Sequence, residues 1–125
     1  MPSLPKRVAW VLAGGVFGGA IAAGLSAVLP DLSRVANATN PMPMAVGIAF
    51  AVPVMDVGLY PQNVPEDRET AIRVGVLAVL YGGSAGVLTS LVSLAVVPSV
   101  ANPLAVAVAF LATEYAGRRE RSRLT

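Results

Sequence analysis

Two acidic side chains, Asp56 and Glu114, lie within long apolar stretches of the sequence. A carboxylate at membrane depth is costly to desolvate, and it indicates a functional site such as an ion or proton pathway. Each lies about one helical turn from the charged end of its stretch, where water and lipid headgroups also stabilise a charge. Two interpretations therefore stay open, an ion pathway and an interfacial ion pair.

Arginines offer partners for both carboxylates. Arg118 follows Glu114 at the i, i+4 spacing with the acidic residue first, which is the favourable order for an ion pair on a helix. Arg73 is the predicted partner of Asp56, because both residues flank the same polar connector. In the interfacial interpretation the sequence thus predicts the pairs Glu114–Arg118 and Asp56–Arg73.

Neither cysteine nor histidine occurs in the chain. The commonest general base and metal ligand is therefore missing, as are a cysteine nucleophile and a thiolate metal site. The segments GGVFGG and GGSAG lie inside apolar runs without a nearby lysine, which does not fit a phosphate-binding loop. The sequence predicts a protein that is not an enzyme and has no catalytic residue, cofactor or metal ion.

Glycines form the second set of candidate residues, because they recur four positions apart within the apolar runs. Small residues at this spacing lie on one face of a helix and let two helix backbones approach closely. We expect these glycines to pack helices, either inside one bundle or between protomers: Gly14, Gly15, Gly18, Gly19, Gly82, Gly83 and Gly86.

The elements that carry these residues follow from composition. Hydrophobic residues make up 55% of the 125 residues and charged residues 13%, against roughly 25% charged in an average soluble domain. About 20 apolar residues in a helix cross a hydrocarbon core of about 30 Å. The sequence predicts an all-α membrane protein with four transmembrane helices, the fourth being the shortest: Val8–Leu29, Pro41–Tyr60, Val74–Val97 and Pro103–Gly117.

Prolines predict where these helices begin and bend. Asn40-Pro41 and Asn102-Pro103 each fit an N-cap followed by the first helical residue, where a proline loses no hydrogen bond. Pro65 is predicted to open a helix in the connector. Pro53 lies inside the second run, where it removes one backbone hydrogen bond and is expected to kink the helix.

A GG-x-x-G motif and a following proline occur twice at the same spacing. The first copy begins at Gly14 and ends at Pro30, and the second begins at Gly82 and ends at Pro98. Two tandem, parallel helical hairpins would give this pattern, and chance matching in a chain rich in Ala, Val and Gly is the alternative. The predicted single membrane domain comprises hairpin one at 8–60, a cytoplasmic connector at 61–73, hairpin two at 74–117 and a basic tail at 118–125.

Positive charge predicts the orientation, because cations collect on the cytoplasmic flanks of transmembrane helices. Four spans from a cytoplasmic N-terminus leave Arg34 outside, and the other cations inside: Lys6, Arg7, Arg68, Arg73, Arg118, Arg119, Arg121 and Arg123. The last four of these are candidates for binding anionic lipid headgroups, or they only fix the topology. We predict a multi-pass plasma-membrane protein with both termini in the cytoplasm.

Two functions fit these features. The first is a non-catalytic subunit or helix-packing module of a membrane assembly, which accounts for minimal loops, glycine-rich faces and the lack of reactive groups. The second is a small homo-oligomeric transporter or channel that uses Asp56 and Glu114. The expected partners are the lipid bilayer and either copies of the same chain or other membrane subunits. Nucleic acid is not expected, since the basic residues flank the apolar runs.

Overall fold

The computed structural model describes residues 4–28 and 41–124. Four helices make up its regular structure: α1 (Leu4–Val28), α2 (Pro41–Leu59), α3 (Arg68–Val96) and α4 (Ala101–Leu124). Short 3-10 turns at Pro61–Asn63 and Pro98–Val100 precede α3 and α4 respectively.

Three of the four helices are long and apolar enough to cross a membrane: α1, residues Met42–Leu59 of α2, and α3. The all-helical prediction is confirmed, and these three helices are compatible with a membrane protein. The mean hydropathy of helix α4 is too low for a candidate span, because its second half carries Glu114 and the arginines that begin at Arg118.

The helices pack as two antiparallel pairs, α1 with α2 and α3 with α4. On α1, Trp10 lies against Gly58 and Gly18 lies against Gly47, so α1 and α2 run in opposite directions. On α3, Gly82 lies against Thr113 of α4. Helix α2 also packs against both α3 and α4, whereas in the described residues α1 makes extensive contact with α2 alone. The described ends of the chain therefore lie at the same end of the bundle.

Small residues fill the core where α2, α3 and α4 meet. Ala45, Ala105 and Ala109 form a fully buried cluster. The buried hydroxyls of Ser90 and Thr113 hydrogen-bond within their own helices. Ser90 donates to the Gly86 carbonyl at 2.8 Å, and Thr113 donates to the Ala109 carbonyl at 2.6 Å. These bonds satisfy the hydroxyls without a partner from another helix, so the helices approach closely through an almost entirely apolar surface.

The observed helix ends differ from the predicted ones at three places. Helix α3 begins at Arg68 rather than at Pro65, because Asp67 caps it through its side chain. Asn102-Pro103 lies inside α4, since the turn at Pro98–Val100 leads directly into a helix that begins at Ala101, and a proline in the first turn lacks only an N–H that would be unpaired anyway. Helix α4 also continues through most of the basic tail.

Other boundaries agree with the sequence. Pro41 is the first residue of α2, and Pro53 lies inside that helix. The predicted cap Asn40, the first proline of the repeat at Pro30 and the cation Arg34 fall outside the described residues.

Candidate functional site

Asp56 and Glu114 lie 58 positions apart in the sequence. In the folded chain a hydrogen bond joins their side chains. Helices α2 and α4 run in the same direction, because Ala45 near the start of α2 packs with Ala105 and Ala109 of α4. The two carboxyl groups therefore reach the same level of the bundle.

Two arginines of α4 share this environment. The positive charges of Arg121 and Arg118 both act on the Asp56 carboxyl. Arg118 and Tyr60 line, with both carboxyl-bearing residues, a groove of about 410 Å³ between α2 and α4. The site thus combines two acidic and two basic side chains at the end of the bundle where α2 finishes.

Asp56 also faces inward. A smaller cavity of about 80 Å³ lies among α2, α3 and α4, and Asp56, Pro53, Thr113 and Arg121 are among its lining residues. Asp56 consequently stands at the junction of three helices, next to the proline whose ring interrupts the backbone hydrogen bonds of α2.

The partner of Arg73 differs from the predicted Asp56. Arg73 lies 3.8 Å from Glu69, one turn earlier on α3, and both side chains are mostly exposed. This pair forms because α3 starts at Arg68, which makes Glu69 helical and places it four residues before Arg73. Glu114, the predicted partner of Arg118, is hydrogen-bonded to Asp56.

The predicted glycines divide between a buried and an exposed set. Gly14 and Gly18 are the buried residues of α1, and a Cβ on Gly18 would lie 2.5 Å from the Gly47 carbonyl oxygen. Gly15 would reach only the tip of Met55 at 4.0 Å, and Gly19 would meet nothing within 4 Å.

The three predicted glycines of α3 are buried. A Cβ on Gly86 would lie 2.8 Å from the Cβ atoms of both Ala45 and Ala109. Gly82 adjoins the Thr113 side chain, and a Cβ on Gly83 would stay 3.9 Å from Ala49. Gly86 is therefore in contact with α2 and α4 at once.

Two further glycines on α2 were missed from sequence. Gly47 lies against Gly18, so that each glycine's added Cβ would overlap the other's carbonyl, and Gly58 receives the Trp10 side chain. Their separation in sequence is close to three helical turns, which places them on one face of α2. That spacing is a signal that could have found them, although it is not the four-residue spacing of the usual motif.

Comparison with protein-family models, with curated proteins and with solved structures finds no match. Within residues 4–28 and 41–124, no group of three or more acidic, histidine or cysteine side chains could hold a metal ion.

Proposed function

We propose that this protein is a non-catalytic subunit, or helix-packing module, of a larger membrane assembly. The observation that carries the proposal is the placement of α1, which rests on α2 and leaves most of its apolar surface uncovered. Leu12 is 63% exposed and Val16 is 72% exposed. A helix held through one narrow glycine face has its remaining faces open to another helix or to lipid.

The closed core supports a packing role over a permeation role. Where α2, α3 and α4 meet, alanine and glycine are in contact, and the buried hydroxyls of Ser90 and Thr113 are satisfied by their own helices. A water-filled path needs polar groups that face a lumen, and this part of the core presents apolar atoms instead.

We also propose that all four helices span the membrane and that both termini lie in the cytoplasm. Helix α4 lies alongside α3 with Gly117 near Ala78 and Ala109 near Gly86, so its apolar part shares the depth of a candidate span. Arg68 begins α3 and Arg121 lies near the end of α4, and the antiparallel packing brings these cations to one end. Clustered cations favour the cytoplasmic side.

Topology reporters test this arrangement directly. Fusions at Met1 and Thr125 are expected to report the cytoplasm, and an insertion at Val100 is expected to report the opposite side. An external C-terminus together with a cytoplasmic N-terminus would mean that α4 does not cross the membrane.

Site-specific photocrosslinking in native membranes tests the assembly role. A benzoylphenylalanine at Val16 of α1 is expected to crosslink to protein, and mass spectrometry of the adduct distinguishes a second copy from another subunit. Val92 of α3 is the matched control, because it is also an exposed valine, at 62%, but lies on a different helix of the bundle. Crosslinking to protein at Val16 that is no stronger than at Val92, with intact protein and efficient lipid adducts at both, would contradict the proposal.

A second candidate, a small proton- or cation-coupled transporter, is favoured by one observation. The Asp56–Glu114 hydrogen bond brings together the two carboxyl groups of the apolar runs, beside Arg118 and Arg121. Such groups near a membrane span are typical of ion and proton relays. Flux measurements with reconstituted protein separate this candidate from the packing role.

A further inference from the structure

A groove of about 520 Å³ lies between α3 and α4 on a face away from α1. Leucines of α3 form its apolar wall, and Tyr81 of α3 and Tyr115 of α4 face one another across it with ring centroids 6.4 Å apart. Leu80 and Leu88 are 60% and 62% exposed. The groove is thus an open, mostly apolar depression on the outer surface of the bundle.

The groove has a polar end and an apolar end. Gly117 of α4 lies near Ala78 of α3, so Arg119 is close to the level of Leu77, where the groove begins. From Leu77 to Leu88 the rise along α3 is about 16 Å, at about 1.5 Å per residue. That length is close to one leaflet of a hydrocarbon core of about 30 Å.

Charge distinguishes Arg119 from the other arginines of α4. Arg121 and Arg118 act on Asp56, and Arg123 lies 3.8 Å from Glu120. Arg119 is exposed and lines the groove. Glu120 also lines it with a side chain that is 14% exposed, and Arg123 at 3.8 Å offsets its negative charge, so Arg119 leaves the mouth of the groove positive.

We propose that this groove binds one anionic phospholipid, with the lipid phosphate at the Arg119 guanidinium and an acyl chain along Leu80 and Leu88. A guanidinium matches a phosphate in charge and in hydrogen-bond geometry. Tyrosines at this depth present an apolar ring to the chain and a hydroxyl to the headgroup region. The site requires the protein to lie in a bilayer, and it does not depend on whether the protein is a subunit or a transporter.

Native mass spectrometry of the full chain in mild detergent tests the proposal. Phosphatidylglycerol and phosphatidylcholine with matched acyl chains are added at equal concentrations. We expect one phosphatidylglycerol to be retained in preference to phosphatidylcholine. Arg119→Gln is expected to weaken phosphatidylglycerol binding by about fivefold, which corresponds to about 1 kcal/mol for one basic residue near the surface.

Arg118→Gln is the matched control, because it removes the same charge from the same helix at a position that lines the other groove, between α2 and α4. Its expected effect is less than twofold. A second variant, Ser84→Trp, fills the groove and leaves every arginine in place, and it is expected to displace the lipid. Ile72→Trp adds the same side chain to an exposed position of α3 that does not line the groove, and it is expected to leave binding unchanged.

Three results would overturn the proposal. Equal losses in Arg119→Gln and Arg118→Gln would show diffuse attraction to the basic helix end. Unchanged binding in Ser84→Trp would place the lipid elsewhere. Equal retention of the two lipids would mean that the groove does not select an anionic phospholipid.

Discussion

The two helical pairs use a similar glycine pattern for different packing. In the first pair, Gly18 of α1 and Gly47 of α2 bring backbone against backbone at a single helix–helix contact. In the second pair, Gly86 of α3 lies between Ala109 of α4 and Ala45 of α2, so one glycine serves two contacts. The same motif thus occurs in a peripheral helix and in a core helix.

The difference between α1 and α3 follows from what covers their other faces. Two residues of α1, Gly14 and Gly18, are buried, whereas α3 buries residues along its length from Val74 to Ser93. A glycine face fixes how close two helices come, and it does not fix how many neighbours a helix has. Substitutions at matched positions can therefore separate the contribution of one contact from that of two.

The largest effect is expected for Gly86→Leu. The added side chain would overlap Ala45 and Ala109 together, and overpacking a filled core costs about 1–3 kcal/mol and occasionally more. We expect loss of the folded bundle or a Tm in detergent far below that of the wild type. A Tm equal to that of the wild type would show that α3 can rotate away from both neighbours at little cost.

A smaller and more local effect is expected for Gly18→Leu. Its side chain would separate α1 from α2 and leave the contacts of α3 with α4 intact, at a cost within about 1–3 kcal/mol. The chain has one tryptophan, Trp10, whose ring lies against Gly58 of α2, so its fluorescence reports on this contact. We expect a shifted emission maximum and a lower Tm.

Gly19→Leu is the matched control for Gly18→Leu, because a Cβ at Gly19 meets nothing within 4 Å. It should leave both the emission of Trp10 and the Tm unchanged. Equal effects of the two substitutions would mean that the exposed face of α1 is also packed, as a contact between protomers would require.

Asp56→Asn is expected to change stability by less than about 1 kcal/mol, since an amide can still hydrogen-bond to Glu114. In the packing role the variant assembles as the wild type does, and wild-type proteoliposomes show no proton- or cation-coupled flux. Glu114→Gln, which alters the other member of the pair, should behave in the same way. A wild-type flux that both substitutions abolish would favour the transporter over the packing module.

The smallest effect concerns the start of α3. The Thr70 hydroxyl and amide donate to the Asp67 carboxylate at 2.7 and 3.2 Å, and these bonds lower the pKa of Asp67 below its usual value near 3.8. The stabilisation is therefore present above the usual pKa and is lost as the pH falls through the lowered one. Asp67→Ala should reduce the Tm at pH 7 by less than Gly18→Leu does.

Acid should remove the difference between Asp67→Ala and the wild type, because the carboxylate of the wild type is then protonated. Glu66→Ala is the control, since it deletes a neighbouring exposed acid that does not cap the helix. A difference that persists unchanged well below pH 3.8 would assign the effect of Asp67 to something other than its charge. Helix α1 differs from α3 at its N-terminus, because no acidic residue lies in the first turn of α1.

The amino-acid sequence by itself determined the apolar helices and several of their limits. Long runs without charges cannot form a soluble surface, and Pro41 fixes the start of α2 because a proline at the first helical position loses no bond. Residues outside the apolar runs were harder to predict. Helix α3 starts at Arg68 and α4 continues past Gly117, because caps and helix-forming charged residues extend a helix without any change in hydropathy.

Only the tertiary structure decided which faces meet. Helix α1 is apolar all round beyond Arg7, so periodicity does not mark its side that carries Gly18 as buried or its side that carries Gly19 as exposed. The pairing of Asp56 with Glu114 depends on the relative depth of α2 and α4, which packing at Ala45 and Ala109 sets. The relative depth of the helices decides which residues distant in sequence come into contact. The spacing of residues within one helix does not encode that depth.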